Sequence, residues 1–310
     1  RIAILGPSGM GKTTLATAAL HDPSVVAVYS QRWFIPCECA ATSFDIAALI
    51  EAHLGLKAEK NAIKHVTQAL EKQPRCLLIL DNLETAWDPL SVRTGVEEFL
   101  ALLTAIDHLS LIITMRGAER PAKVHWTRPF LKPLEPLSDD AAQQMFIDIA
   151  DDIHDPMEVN KVLQRTGNMP LAIDLIAHLV DCDGCPSVLS QWELEHTTFL
   201  STGYDRASNL DLSINSSLTS PRFTSVPGTM DLLSLLSILP DGLSNSQLQH
   251  IEFPHDVQSC RAVLLATSLV YMDVMGRLKS LVPIQEHMHH FHPISLQLVR
   301  PIQDYLFHGP

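Results

Sequence analysis

The chain has 310 residues, 46% of them hydrophobic and 18% charged, with a formal net charge of −13 at pH 7. Its length and apolar content suit two or three folded domains and exclude a largely disordered chain. The acidic balance argues against broad binding to nucleic-acid backbones, and no apolar run is long enough to span a bilayer.

Arg1 leads straight into Ile2-Ala3-Ile4-Leu5, a short buried strand, so the sequence reads as a piece of a longer protein. A Gly-rich turn follows, then a helix over 12–21. Residues 25–35 read as a second strand, and 44–54 and 62–72 as helices; Ile46, Leu49 and Ile50 give the first of these an apolar face. Cys76-Leu77-Leu78-Ile79-Leu80 is a continuous apolar run ending in Asp81, the mark of a central parallel strand. A fourth strand is expected over 109–114 and a weaker fifth over 124–127. Strands alternating with helices imply a parallel sheet covered on both faces.

The pattern changes near Phe130. A Pro-punctuated connection over 131–137 leads to Ser138, which caps a helix running to about Ala150 with Asp139 and Asp140 in its first turn. Helical periodicity continues to about Leu218. Near Pro227 a third unit begins, with helices over 230–239, 244–251 and 257–267. The segments 268–273 and 277–282 then flank Val274-Met275-Gly276 as a candidate hairpin, the outline of a winged helix. A closing helix is expected over 293–307. The fold class is therefore α/β, with a parallel sheet over 1–130, followed by a helical domain over 131–220 and a winged-helix domain over 221–310.

Gly6-Pro7-Ser8-Gly9-Met10-Gly11-Lys12-Thr13-Thr14 fits the phosphate-loop pattern G-x-x-x-x-G-K-[ST], after a strand and before a helix. Glycines let backbone N–H groups approach phosphates, and a helix N-terminus favours negative charge. Lys12 is placed to reach the β- and γ-phosphates of a nucleoside triphosphate, and the Thr13 hydroxyl to coordinate Mg²⁺. Asp81, at a strand's C-terminal end, is the natural second magnesium partner. Glu84 is the nearby carboxylate that can activate water, with Asn82 as an alternative that orients it; a solvated loop acid is the bland reading of Glu84. Arg116 follows the fourth strand and can meet the γ-phosphate, or form an ordinary surface ion pair.

Six scattered cysteines suit a reducing, cytoplasmic compartment better than a disulfide framework. Cys182 and Cys185 have ligand spacing but lack a second pair, with only His178 and His196 as partners. His287, His289, His290 and His292 read as a surface run before a helix rather than a metal site.

In that order these residues resemble the STAND class of P-loop ATPases, of the NB-ARC/NACHT type found in NOD-like immune receptors, in particular fungal NB-ARC-like proteins. Gly6 to Thr14 is the Walker A motif of that class. The segment 77–85 resembles its Walker B, and 111–116 its sensor strand, whose arginine, here Arg116, reads the γ-phosphate. Leu134-Glu135-Pro136-Leu137-Ser138 resembles the linker into the helical domain, and Gly167-Asn168-Met169-Pro170-Leu171-Ala172 the GLPL motif, whose proline, here Pro170, packs on adenine. Leu235 to Leu243 resembles the start of its winged helix. The resemblance implies a signalling switch in which ADP holds the domains closed and ATP opens them to self-oligomerise, between effector and repeat domains outside this stretch. It departs from the family where Pro283 takes the place of a histidine that contacts the ADP β-phosphate, and where Asn82 replaces a second acid. The latter suits slow hydrolysis. A continuously turning AAA+-like ATPase and a winged-helix transcriptional regulator are the competing readings. Against the first stands the lack of an assignable arginine finger, with Arg120 and Arg128 weak candidates. Against the second stands a helix over 257–267 whose only basic residue is Arg261.

Overall fold

Six consecutive buried residues, Cys76 to Asp81, form a strand that is apolar on both faces and must be covered on both. The fold, described as a computed structural model for residues 1–151, 153–195, 200, 209–239, 241–251, 253–273 and 275–294, is built outward from it. The chain divides into two compact units, one of Arg1–Gly6 and Gly11–Leu134, the other of Pro7–Met10 and Glu135 onward.

The first unit runs β1 (Ile2–Gly6), α1 (Lys12–His21), α2 (Pro23–Val28), β2 (Gln31–Pro36), α3 (Ser43–His53), α4 (Ala62–Glu71), β3 (Cys76–Asp81), α5 (Glu84–Trp87), α6 (Leu90–Thr104) and β4 (Leu109–Arg116). Its sheet has the order β1-β4-β3-β2 with every neighbour parallel. Leu78 and Leu80 face a cluster with Ile46, Val66, Leu70, Phe99 and Leu103 from α3, α4 and α6. Leu77 and Ile79 face the other side, against Ala16 and Leu20 of α1. Register aligns Gly6 with Arg116 and Pro36 with Asp81, so these strand ends share one edge of the sheet.

Two sequence expectations change here. The second strand begins at Gln31 rather than Val25, because Asp22 accepts a hydrogen bond from Ser24 N–H at 2.8 Å and Pro23 opens a short helix. That start signal outweighs the strand preference of Val25 and Val26. The expected strand over 124–127 does not form. Thr127 N–H bonds to Arg1 carbonyl at 3.0 Å, Trp126 Nε1 donates to the Pro121 carbonyl, and Val124 is buried, so the segment docks without joining the ladder. Pro129, two residues beyond Thr127, has no N–H to continue one.

The second unit continues with α7 (Asp139–Ala150), α8 (Pro156–Thr166), α9 (Pro170–Asp183), α10 (Cys185–Glu195), α11 (Leu210–Leu218), α12 (Pro221–Thr224), α13 (Thr229–Ser237), β5 (Leu243–Ser244), α14 (Asn245–His250), α15 (Val257–Ala266), β6 (Val270–Met272), β7 (Arg277–Ser280) and α16 (Val282–Phe291). Ser138 caps α7 as expected, accepting from Ala141 N–H at 3.4 Å. The three late strands form an antiparallel sheet ordered β5-β7-β6. At the β5 end Gly242 has φ +65°, and a Cβ there would stand 2.3 Å from the Leu278 carbonyl oxygen, so the close strand approach requires glycine. Of the helix expected over 293–307, residues 295–307 lie outside the described residues.

The histidine run differs from its surface expectation. It lies within and just after α16, and His287 is fully buried. Pro283, Ile284, His287 and Met288 recur at helical spacing and form the inner face, while His289 and His290 turn outward.

Candidate nucleotide site

Each residue singled out from the sequence in the first unit lies at the carboxyl edge of the sheet or directly after it. Gly6 ends β1, Asp81 ends β3, Glu84 opens α5 and Arg116 ends β4. Gly6 has φ +147°, and a Cβ there would lie 3.0 Å from Leu134 N, which donates to the Leu5 carbonyl at 2.7 Å. A side chain at Gly6 would thus be strained and crowded at once. Gly11 is the left-handed N-cap of α1 and makes no side-chain cap bond. Lys12, Thr13 and Thr14 form the first turn, with Lys12 buried and Thr13 and Thr14 exposed.

The charged and hydroxyl groups are tightly cross-linked. Thr13 Oγ1 donates to Asp81 Oδ1 at 2.9 Å and to Oδ2 at 3.1 Å. Thr114 Oγ1 donates to the same Asp81 Oδ1 at 2.5 Å and accepts from Asn82 N–H at 3.0 Å. Burial pushes the Asp81 carboxyl up, and the bonds from Thr114 and Thr13 pull it back. Glu84 pairs with Arg116 through Oε1 and Nε at 2.7 Å. Burial pulls the Lys12 ammonium down to about 8, opposed by Glu84 and Asp81 and reinforced by Arg116. Four charges of alternating sign therefore act on one another in a poorly hydrated space.

Thr114 was not singled out from the sequence, although it fills two bonds here. Its signal was a buried polar residue at the end of an apolar strand, which seldom lacks a partner. Cys37 also went unremarked as a neighbour of Asp81; its backbone N–H donates to the Asp81 carbonyl at 2.8 Å. Burial, then Asp81 and Glu84, push its thiol up to about 12, so it stays an inert thiol.

The middle of the loop, Pro7, Ser8, Gly9 and Met10, groups with the second unit. There the Leu171 N–H donates to the Gly9 carbonyl at 3.1 Å, and Ser8 Oγ and Ser213 Oγ share a bond of 2.6 Å. Gly9 has φ +74°, and a Cβ would come within 2.3 Å of Met169 Cε. Pro170, the first residue of α9, thus lies between two residues that approach the loop. Ser213 belongs to α11, as does Asp211, whose Oδ1 lies 2.8 Å from His287 Nδ1. Pro283 stands one turn before His287 at the start of α16. The candidate zinc residues do not gather. Cys182 is exposed, Cys185 is buried, and His178 bonds its own helix at the Asp174 carbonyl. His196 lies outside the described residues. Among the described residues no three His, Cys, Asp or Glu side chains form a metal-sized group, and no helix is long and apolar enough to cross a membrane.

Comparison with known proteins agrees with this layout. The family model of the novel STAND NTPase 1 group matches residues 1–179, more than half of the chain. No curated protein matches it by sequence. Among solved structures, a Walker-type ATPase of Pyrococcus abyssi superposes with a TM-score of 0.61 at 12% identity, over 93% of this chain and 90% of its own. The ORC2 protein of Aeropyrum pernix, solved in ADPNP and ADP complexes, gives a TM-score of 0.54 at 13% identity, over 99% and 88%. At such identity these two show a shared fold.

Proposed function

The chain belongs to the novel STAND NTPase 1 family, and on that footing we propose that it is an ATP/ADP-binding signalling switch of the NOD-like (STAND) receptor kind, with slow hydrolysis and nucleotide-dependent self-oligomerisation. The observation that carries this reading is the gathering of Lys12, Thr13, Asp81, Glu84 and Arg116, with Thr13 bonded to Asp81 and Arg116 to Glu84, at the sheet edge where open α/β folds bind ligands.

In this reading the amides from Gly6 to Thr14 cradle the phosphates, and Lys12 neutralises them. Asp81 holds the Thr13 hydroxyl, and two hard oxygen groups 2.9 Å apart fit a magnesium ion, directly or through water. A magnesium ion held by Thr13 and Asp81 would supply positive charge to the phosphates. Arg116 meets the terminal phosphate, and Pro170 borders the adenine. Slow hydrolysis is supported by Asn82 in place of a second acid and by a Glu84 carboxylate turned toward Arg116. A nucleotide domain over 1–130 is supported by the unit boundary at Leu134. The helical domain over 131–220 is supported by its run of helices, and the winged helix over 221–310 by helices α13 to α15 with the antiparallel sheet β5-β7-β6. Buried free cysteines suit a cytoplasmic setting.

Lys12→Ala should abolish binding of a fluorescent ADP or ATP analogue, since it removes the charge facing the phosphates. Unchanged affinity would overturn the site assignment. Wild-type protein should retain ADP through purification and turn over far below the ~1–1,000 s⁻¹ of ordinary enzymes; rapid steady hydrolysis would overturn the switch.

A further inference from the structure

Glu84 is the carboxylate the sequence offers for activating water, but its surroundings give it a different task. Both of its oxygens face one residue. Oε1 accepts from Arg116 Nε at 2.7 Å, and Oε2 accepts from the Arg116 backbone N–H at 3.3 Å. The Glu84 side chain is 1% exposed and that of Arg116 14%, so water competes little for either.

The geometry of that grip matters. Nε lies in the guanidinium plane, so a carboxylate bound there sets the plane and the direction of the terminal nitrogens. The second bond, to the backbone of the same residue, ties the anchor to the end of β4. Arg116 is in register with Gly6, the first glycine of the phosphate loop, and the Gly117 N–H donates to the Gly6 carbonyl at 3.3 Å. The arginine is thus fixed at both its root and its head beside the loop. A flexible arginine would surrender its rotamer freedom on meeting a ligand; one already held does not. Glu84 also opposes the repulsion that Arg116 exerts on Lys12.

We propose that Glu84 is a positioning residue for Arg116, holding its guanidinium ready for the terminal phosphate of a nucleoside triphosphate, rather than a base that activates water. The proposal rests on the nucleotide reading of the site. Its consequence is that preference for triphosphate over diphosphate depends on Glu84 as much as on Arg116.

The test measures affinities of the full chain for magnesium with a fluorescent non-hydrolysable ATP analogue and with fluorescent ADP. The variants are Glu84→Ala, Glu84→Gln, Arg116→Ala and the double variant Glu84→Ala/Arg116→Ala. Arg116→Ala and Glu84→Ala should each lower triphosphate affinity roughly 10- to 100-fold relative to diphosphate, the worth of one charge-assisted hydrogen bond. The double variant should be no weaker than Arg116→Ala alone, because the two act through one contact. Glu84→Gln keeps an acceptor for Nε and should retain most of the preference, which a base would not do for hydrolysis. If Glu84→Ala does not fold, Glu84→Leu, which removes the acceptor but keeps the volume, measured alone and combined with Arg116→Ala, reads the same coupling. The proposal is overturned if both Glu84 variants leave the triphosphate preference intact while lowering single-turnover hydrolysis equally. It is also overturned if Arg116→Ala leaves that preference unchanged. Wild-type protein that binds neither nucleotide would instead defeat the nucleotide reading itself, before any substitution is compared.

Discussion

Lys12 shows how much a single residue's chemistry depends on what surrounds it. Its identity and place in the loop could be read from the sequence; its pull down to about 8 from the usual 10.5 could not, since that follows from burial. The folded, nucleotide-free protein binds fewer protons than the unfolded chain between those values, so the stability tied to Lys12 grows as pH rises through that window and is lost as pH falls through it. Polyphosphate acts oppositely, favouring the charged ammonium. Affinity for magnesium–ATP should therefore fall as pH rises above about 8, approaching tenfold per pH unit. Titrating the dissociation constant from about pH 7 to pH 10 checks this, and Lys12→Arg should flatten the profile because arginine stays charged. A wild-type profile that is itself flat would mean Lys12 is charged throughout. Thr114 and the Glu84–Arg116 pair were hidden for a similar reason: their partners lie 33 and 32 residues away, beyond any local pattern.

At the scale of elements, local signals succeeded where they were self-contained. The apolar run of β3, the Ser138 cap of α7 and the glycine turn before α1 each specify their element without distant help. The start of β2 was misplaced because the Asp22–Pro23 helix start competes with a β-branched run, and α6 was not assigned despite Val96, Phe99, Leu100 and Leu103 at helical spacing. Strand β5 has two residues and exists only through its pairing with β7, where Leu243 meets Leu278 and Ser244 meets Arg277, more than thirty positions along the chain. The pairing of α11 with α16 is likewise tertiary. Asp211→Ala would leave the buried His287 ring without its Nδ1 partner, and should cost about 1–3 kcal/mol. The urea midpoint reports this; an unchanged midpoint would show that the Asp211–His287 bond adds nothing net to stability.

For the whole molecule, the proposed switch makes a mass prediction. Protein loaded with ADP should be smaller in light scattering than the same protein loaded with a non-hydrolysable ATP analogue, and Lys12→Ala should show no difference between the two. Equal masses for the loaded wild-type samples would remove oligomerisation from the reading. The order of motifs along the chain, from the loop through Asp81 and Arg116 to Pro170, was already decided by sequence, as was the parallel α/β character of the first unit. These rest on local composition: glycines where backbone must approach phosphate, and apolar runs where a strand is covered on both faces. Tertiary structure alone decided that Glu84 faces Arg116, that Asp81 is shared by Thr13 and Thr114, and that His287 is buried rather than exposed. Those outcomes depend on register between strands and packing between helices, which bring together residues that no periodicity along the chain connects.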